Sequence, residues 1–380
     1  MTTPIEAVRL PDPRPVYASL LRERPFAFDE RVGAWVAADA AAVRTVLGSP
    51  ALRVRPPAEP VPAGITGTAA GEVFGDLVRM TDGDLQRRLK AVVTDALGTV
   101  DAGRTRALAA GHTRDALTVR QDRPDLFQDL MFGVPARTVA SLCGLDRDAG
   151  AEAARAIGDF VQCIPASATP EQQRAAAVAA AGLRELLGPG IEAGESGTGL
   201  LGDLVRAATR ASWSGTAPLL ANAVGFLSQT YDATAGLIGN TLVALARGTA
   251  KVPGTPEETE ALVREIVRYD APVQNTRRFA AEPFAYAGST VEPGGQVLVV
   301  LAAANLDPAV NPDPHELRPG RADPVVFTFG AGAHRCPGEE IAVSIATAVA
   351  GELIAAGLAP GDLPPEPEYR PLANARIPLL

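Results

Sequence analysis

The sequence predicts a mainly α fold with small β regions. Thr216 to Arg247 and Ile341 to Leu353 are apolar over more than the length of a strand, and Asp82 to Leu97 sets Leu85, Leu89, Val92, Val93 and Leu97 close to helical spacing. Strand-like patterns are confined to short stretches, Phe26 to Ala37 and the segment opening at Ala271-Pro272-Val273. No internal repeat and no linker composition divides the 380 residues, so they are read as a single domain, 1–380.

Composition narrows the function. With 47% hydrophobic and 21% charged residues, the chain is an ordinary globular protein able to bury a large core and a cofactor. A net charge of -9 and a pI near 5.1 argue against nucleic acid or an anionic membrane as a general partner. Cys143, Cys163 and Cys336 lie far apart and histidines number three, which supports neither a zinc ribbon nor a disulfide framework. A reducing cytoplasm fits that usage. Met1 to Leu10 has no apolar signal core, so a cytoplasmic protein without a membrane anchor is expected. Abundant alanine and arginine suggest a high-GC bacterial source.

In chain order, Pro15 to Arg22 reads as a short helix with proline at its first position, and Phe26 to Ala37 as a hairpin turning near Arg31 to Gly33. Ala40 to Leu47 is helical, and Pro56 to Gly71, rich in Pro, Gly and Ala, is a long loop. After the amphipathic helix Asp82 to Leu97 come helices over Asp125 to Leu145 and Ala151 to Cys163, a polar break over Ala166 to Gln173, and a helix over Arg174 to Leu187. Gly188 to Gly199 reads as a glycine-rich loop. Thr216 to Arg247 would span roughly 48 Å as a helix at about 1.5 Å per residue. A membrane span is the alternative, but Asn222, Gln229, Thr230, Tyr231 and Asp232 cluster toward its middle, where a lone aspartate would be costly in a bilayer. In the next helix, Glu257 to Tyr269, Glu265 and Arg268 share a face. Alone, such a pair is usually a surface ion pair worth little.

Phe329-Gly330-Ala331-Gly332-Ala333-His334-Arg335-Cys336-Pro337-Gly338 precedes a long apolar helix. Its glycines permit a tight turn, and Pro337 with Glu339-Glu340 suggests that Cys336 sits at a helix start, where a thiol pKa is lowered. Taken singly, such a cysteine is more often inert and buried. The spacing of Phe, Gly, Gly, His, Cys and Gly resembles the haem-binding loop of the cytochrome P450 family, in which the cysteine is the thiolate ligand of iron. The Glu265–Arg268 pair with Arg321, and the run Ala304-Asn305-Leu306-Asp307-Pro308 to Pro314, match that family in order.

The resemblance implies a cytochrome P450 fold with haem b (iron protoporphyrin IX) as cofactor. Cys336 would bind the metal, with Phe329, Gly330, His334 and Gly338 in the loop around it. It also implies propionate contacts from Arg278 and His334, and from the helix that here offers Gln86 and Lys90 where the family usually has histidine and arginine. A solvated QRRLK face is the alternative. In the central helix the family sets a small residue ahead of an acid–threonine pair that helps deliver protons to dioxygen. Here Gln229 stands at the small position, Thr230 beside it, Asp232 at the acid and Ala233 at the threonine. Asp232, Gln229 and Thr230 are therefore the candidate catalytic residues. Adjacent Thr234 points about 100° away and is not a simple substitute.

The expected protein is an oxidase or monooxygenase acting on a small organic substrate, free or carrier-tethered, in secondary metabolism. Electrons would come from an external ferredoxin and ferredoxin reductase, docking near Arg87, Arg88 and Arg335. Substrate or water replaces the lost hydroxyl, or the reaction is a coupling that inserts no oxygen. A non-catalytic binding or recruitment module is the third reading, and the retained Cys336 disfavours it.

Overall fold

The computed structural model describes residues 2–118, 125–165 and 167–380. They form two compact units, 1–57 with 233–339 and 349–380, and 58–232 with 340–348.

The first unit opens with α1 (Pro4–Ala7), α2 (Arg14–Glu23), β1 (Phe26–Asp29), β2 (Ala34–Ala37), α3 (Ala40–Gly48) and β3 (Leu52–Arg53). The expected hairpin is present, Phe26 opposite Ala37 and Asp29 opposite Ala34, with Gly33 supplying the positive φ of the turn. The chain returns with the second half of the longest helix, then α13 (Pro256–Tyr269), β4 (Thr276–Ala280), β5 (Phe284–Tyr286), β6 (Ser289–Val291), β7 (Gln296–Val299), α14 (Leu301–Asn305) and α15 (Glu339–Ala355). One sheet has the order β1-β2-β7-β4-β3, in which only β2 and β7 run parallel. Alternation along the strands divides its faces. Val36 and Leu298 pack with Tyr17 and Leu20 on one side, while Ala37, Val297 and Val299 pack with Val43, Val46 and Leu47 on the other.

The second unit is helical: α4 (Ala69–Asp76), α5 (Gly83–Leu97), α6 (Ala102–Thr118), α7 (Leu126–Gln128), α8 (Val134–Leu142), α9 (Arg147–Val161), α10 (Pro170–Glu192), α11 (Gly199–Arg210) and α12 (Ala217–Ala246) as far as Asp232. The helix expected over Asp125 to Leu145 is α7 and α8 joined by a π-helical turn, Asp129–Gly133. The polar break is shorter than expected, since α10 starts at Pro170 with Thr169 and Gln172 forming a capping box. Ala166 lies outside the described residues.

Two expectations need correction. The glycine-rich loop at 188–199 is helical to Glu192, because Leu183, Leu187 and Ile191 continue one buried stripe through Pro189. Gly190 serves close packing there, since a Cβ would come within 2.4 Å of Leu201 Cδ1. The loop over Pro56 to Gly71 holds a 3₁₀ turn, Ala63–Ile65, and the start of α4, capped by Thr68. Among the described residues no helix is long and apolar enough to cross a membrane.

Candidate active site

Cys336 is exposed, whereas Cys143 and Cys163 are buried. Its loop is held by backbone. Gly330 N–H donates to Phe327 O at 2.7 Å, Cys336 N–H to Phe329 O at 2.8 Å and Arg335 N–H to Gly332 O at 3.1 Å. Gly330 and Gly332 adopt φ of 70° and 66°, and a Cβ on Gly332 would come within 2.8 Å of Leu47 O in α3. Gly338 lies close to the sulfur, its notional Cβ 3.9 Å from Sγ. The helix does not begin at Pro337. Gly338 is the residue before the first turn and α15 starts at Glu339, which places Cys336 on the preceding turn.

Behind this loop lies a buried polar network. Arg268 and Glu265, 0% and 2% exposed at their side chains, form a double ion pair of 2.6 and 3.0 Å. Glu265 Oε1 also accepts from Arg318 N–H at 3.0 Å and Arg321 Nε at 3.4 Å. Arg268 spends its remaining donors on the carbonyls of Asn305, Pro314 and Glu316, and Arg321 on those of Pro312, Asp313 and Glu316. Sequence reasoning found the three charges and missed their uncharged companions. Buried Asn305 takes the Phe327 N–H at 2.6 Å and donates to Thr328 Oγ1 at 2.8 Å, Thr328 donates to Val267 O at 2.6 Å, and Asn311 brackets Val325 from both sides. α13 is thereby linked to the chain eight to eleven residues before Cys336.

On α12, residues 221–228 are buried and 234–245 are buried, but Gln229 is exposed and Thr230, Tyr231, Asp232 and Ala233 are half-buried. The helix is thus open to solvent over about one turn near its middle. The Gln229 amide turns back toward its own helix. Nε2 donates to Gly225 O at 3.1 Å, an approach open because a Cβ on residue 225 would lie 3.0 Å from that nitrogen. Thr230 Oγ1 likewise donates to Phe226 O at 2.7 Å. Thr234 is fully buried and its Oγ1 has no hydrogen-bond partner among the described residues, so its hydroxyl does not open to solvent beside Ala233. Tyr231 packs its ring 4.9 Å from Phe132 and sets its hydroxyl over Gly158.

The cytochrome P450 family model matches residues 258–354. The cytochrome P450 monooxygenase PikC of Streptomyces venezuelae is 31% identical over 236 residues, 60% of this chain and 55% of that protein. The 20-oxo-5-O-mycaminosyltylactone 23-monooxygenase of Streptomyces fradiae is 30% identical over 237 residues, 60% and 54%. The chain spans about half the length of the curated relatives it matches. The crystal structure of CalO2 superposes with a TM-score of 0.80 at 26% identity, covering 96% of this chain and 94% of that one. The chain belongs to the cytochrome P450 superfamily.

A P450 carries haem iron, and the donor chemistry of this one fits that group. An exposed thiol is fixed on a glycine turn, while burial pushes the other two thiols up, Cys143 to about 12 and Cys163 to about 11. Arg278 is buried on β4, its Nη1 donating to Arg277 O at 2.9 Å, and His334 is half-buried in the 3₁₀ turn Gly332–His334. In the second unit Gln86 is buried on α5 beside Leu89 and Val93, and Lys90, one turn on, is half-buried. Gln86 therefore does not belong to a solvated face. The three arginines expected at a docking surface are already engaged, Arg87 with Asp84, Arg88 over the Trp213 ring at 5.4 Å and Arg335 with Glu339 at 2.8 Å.

Proposed function

We propose that this P450 is a haem b-dependent oxidase or monooxygenase that tailors a small organic molecule in secondary metabolism. The observation that carries this reading is Cys336, the exposed cysteine, on a loop tied to a fully buried ion network. Cys336 would ligate iron, with Phe329, Gly330 and Gly338 shaping the turn and Arg278, His334, Gln86 and Lys90 as propionate partners. Haem with a thiolate ligand supplies dioxygen activation when bound.

The protein's own contribution lies in placing substrate and protons. Asp232 keeps a carboxyl group on the partly exposed stretch of α12, and the hydroxyl that family members place next to it is absent, since residue 233 is alanine and Thr234 is buried. Gln229 spends one of its two amide N–H donors and Thr230 its hydroxyl donor on their own helix, which leaves one Gln229 N–H as donor and Gln229 Oε1 and Thr230 Oγ1 as acceptors. Asp232 is thus the group best suited to hold and pass a proton, with water or a substrate hydroxyl completing the relay. Electrons would come from a separate ferredoxin and reductase. The PikC and tylactone relatives, both named as monooxygenases, support this reading.

Reduction of the purified protein under carbon monoxide tests it. The expected result is the red-shifted Soret band of thiolate-bound haem, absent in Cys336→Ala. Protein that takes up no haem would instead favour a binding module.

A further inference from the structure

Between α4 and α5 the 3₁₀ turn Val78–Met80 is stapled to α12. Asn222 Oδ1 accepts the Val78 N–H at 3.0 Å, and Asn222 Nδ2 donates to Asp76 O at 2.9 Å. Leu77 lies against Gly225, where a Cβ would come within 2.9 Å of it. Arg79 is therefore carried on a rigid turn, and its guanidinium lies within electrostatic reach of Asp232 and of buried Cys163.

What distinguishes Arg79 is that it is unspent. Among the described residues its guanidinium takes part in no hydrogen bond or ion pair, and its Nε is sealed from solvent. Desolvation holds its pKa down to about 10, against the opposing pull of Asp232 and Cys163. Arg79 as a whole is half-buried, and the fully buried arginines Arg268 and Arg376 are treated differently. Arg268 meets Glu265 and backbone carbonyls, and Arg376 meets Asp270 and the carbonyls of Val8, Leu10 and Pro11. A half-buried guanidinium with a sealed Nε and no partner among the described residues is a preformed site for an anion, and its planar fork matches a carboxylate. Asp232 is near enough to favour the charged guanidinium, which lies near the partly exposed stretch of α12.

We propose that Arg79 determines substrate class, and that the molecule this P450 oxidises carries a carboxylate that the Arg79 guanidinium receives. The inference rests on the functional reading above and adds the substrate's charge.

The test is calorimetric titration of the haem-loaded protein with two matched pairs, 2-naphthoate against 2-naphthamide and dodecanoate against dodecanamide. In at least one pair the acid binds about tenfold or more tightly than its amide, and Arg79→Gln brings that ratio to within about twofold. Arg79→Lys retains part of the preference, because the charge stays and the fork is lost. Arg79→Met serves as a second neutral variant that keeps the apolar stem. The proposal is overturned if neither acid binds, if both amides bind as well as their acids, or if the ratio survives in the neutral variants. The same chemistry has a second source, a haem propionate. Loss of haem from Arg79→Gln with the acid preference intact would assign the arginine to the propionate and reject the substrate role. The carbon monoxide band of the parent is read separately, so failure of the P450 reading and failure of this one are distinguishable.

Discussion

Burial sorts the three cysteines by reactivity. Desolvation keeps Cys143 and Cys163 protonated well beyond neutral pH, whereas Cys336 is open to solvent. Thiol alkylation at about pH 8 should therefore mark Cys336 alone in protein stripped of haem and no cysteine in loaded protein. Mass-spectrometric mapping checks this, and label on Cys163 under native conditions would contradict it. At the distal residues the hydrogen bonds reorder the candidates. Gln229 turns one amide N–H to its own helix and cannot take up or release a proton as a carboxylate can, so Gln229→Ala should lower product per electron less than about threefold, whereas Asp232→Asn should lower it about a hundredfold. Equal losses, measured as product and peroxide per NADPH oxidised, would return the proton role to Gln229. The identity of Gln229, Asp232 and Ala233 was legible in the sequence by register alone. The direction of the Gln229 amide was not, because it depends on an open carbonyl at Gly225.

Among the elements, α13 and the segment before the cysteine loop act as one unit through Glu265. Removing that carboxylate leaves Arg268, 0% exposed at its side chain, without its counter-charge, and Glu265→Ala should destabilise the fold by about 3 to 5 kcal/mol. Urea unfolding measures it, and a midpoint equal to the parent's would show that the pair contributes nothing. Two glycines make a paired test of close packing. A Cβ on Gly236 of α12 would lie 2.7 Å from Arg376 O and 3.0 Å from Pro272 Cβ, so Gly236→Ala should cost about 1 to 3 kcal/mol. Gly182 in α10 has nothing within 4 Å of its notional Cβ, and Gly182→Ala should stabilise by about 0.5 to 1 kcal/mol. The helices that sequence reasoning located had wide apolar stripes. It missed α6, whose buried face is Thr105, Ala109, Thr113 and Ala116, small residues that carry little periodic signal.

Across the whole molecule, four buried groups link stability to alkaline pH. Burial pushes the Cys143, Cys163 and Tyr369 pKa values up, to about 12, 11 and 12, and raises that of Tyr17 against the opposing pull of Arg376. Each group is neutral when protonated and ionises more readily in the unfolded chain, where thiols and phenols titrate near 9.0 and 10.0. Their contribution is therefore complete below about pH 9 and is lost as pH rises through the folded-state values. Melting temperature should be insensitive to these groups between about pH 7 and 8.5 and fall steeply above about pH 10. Tyr17→Phe, which removes one of them together with its hydrogen bond to Gln274, should show a shallower alkaline fall. Parallel profiles for variant and parent would remove Tyr17 from the account.

Local pattern alone determined the helical class, the N-terminal hairpin, the turn bearing Cys336 and the order of motifs that marks a P450. Each of these depends on residues close in the chain: periodic apolar positions, glycines at turns and a charge pair one helical turn apart. Tertiary structure decided what depends on distance and burial. It set α15 to begin after Gly338, carried α10 through Pro189 on a stripe buried against its neighbours, and recruited Asn305, Asn311 and Thr328 into the network. It also sealed Arg79 Nε from solvent without a partner among the described residues. A side chain's partners and its exposure to water are set by segments remote in sequence, which is why the charge at position 79 acquires meaning only in the folded molecule.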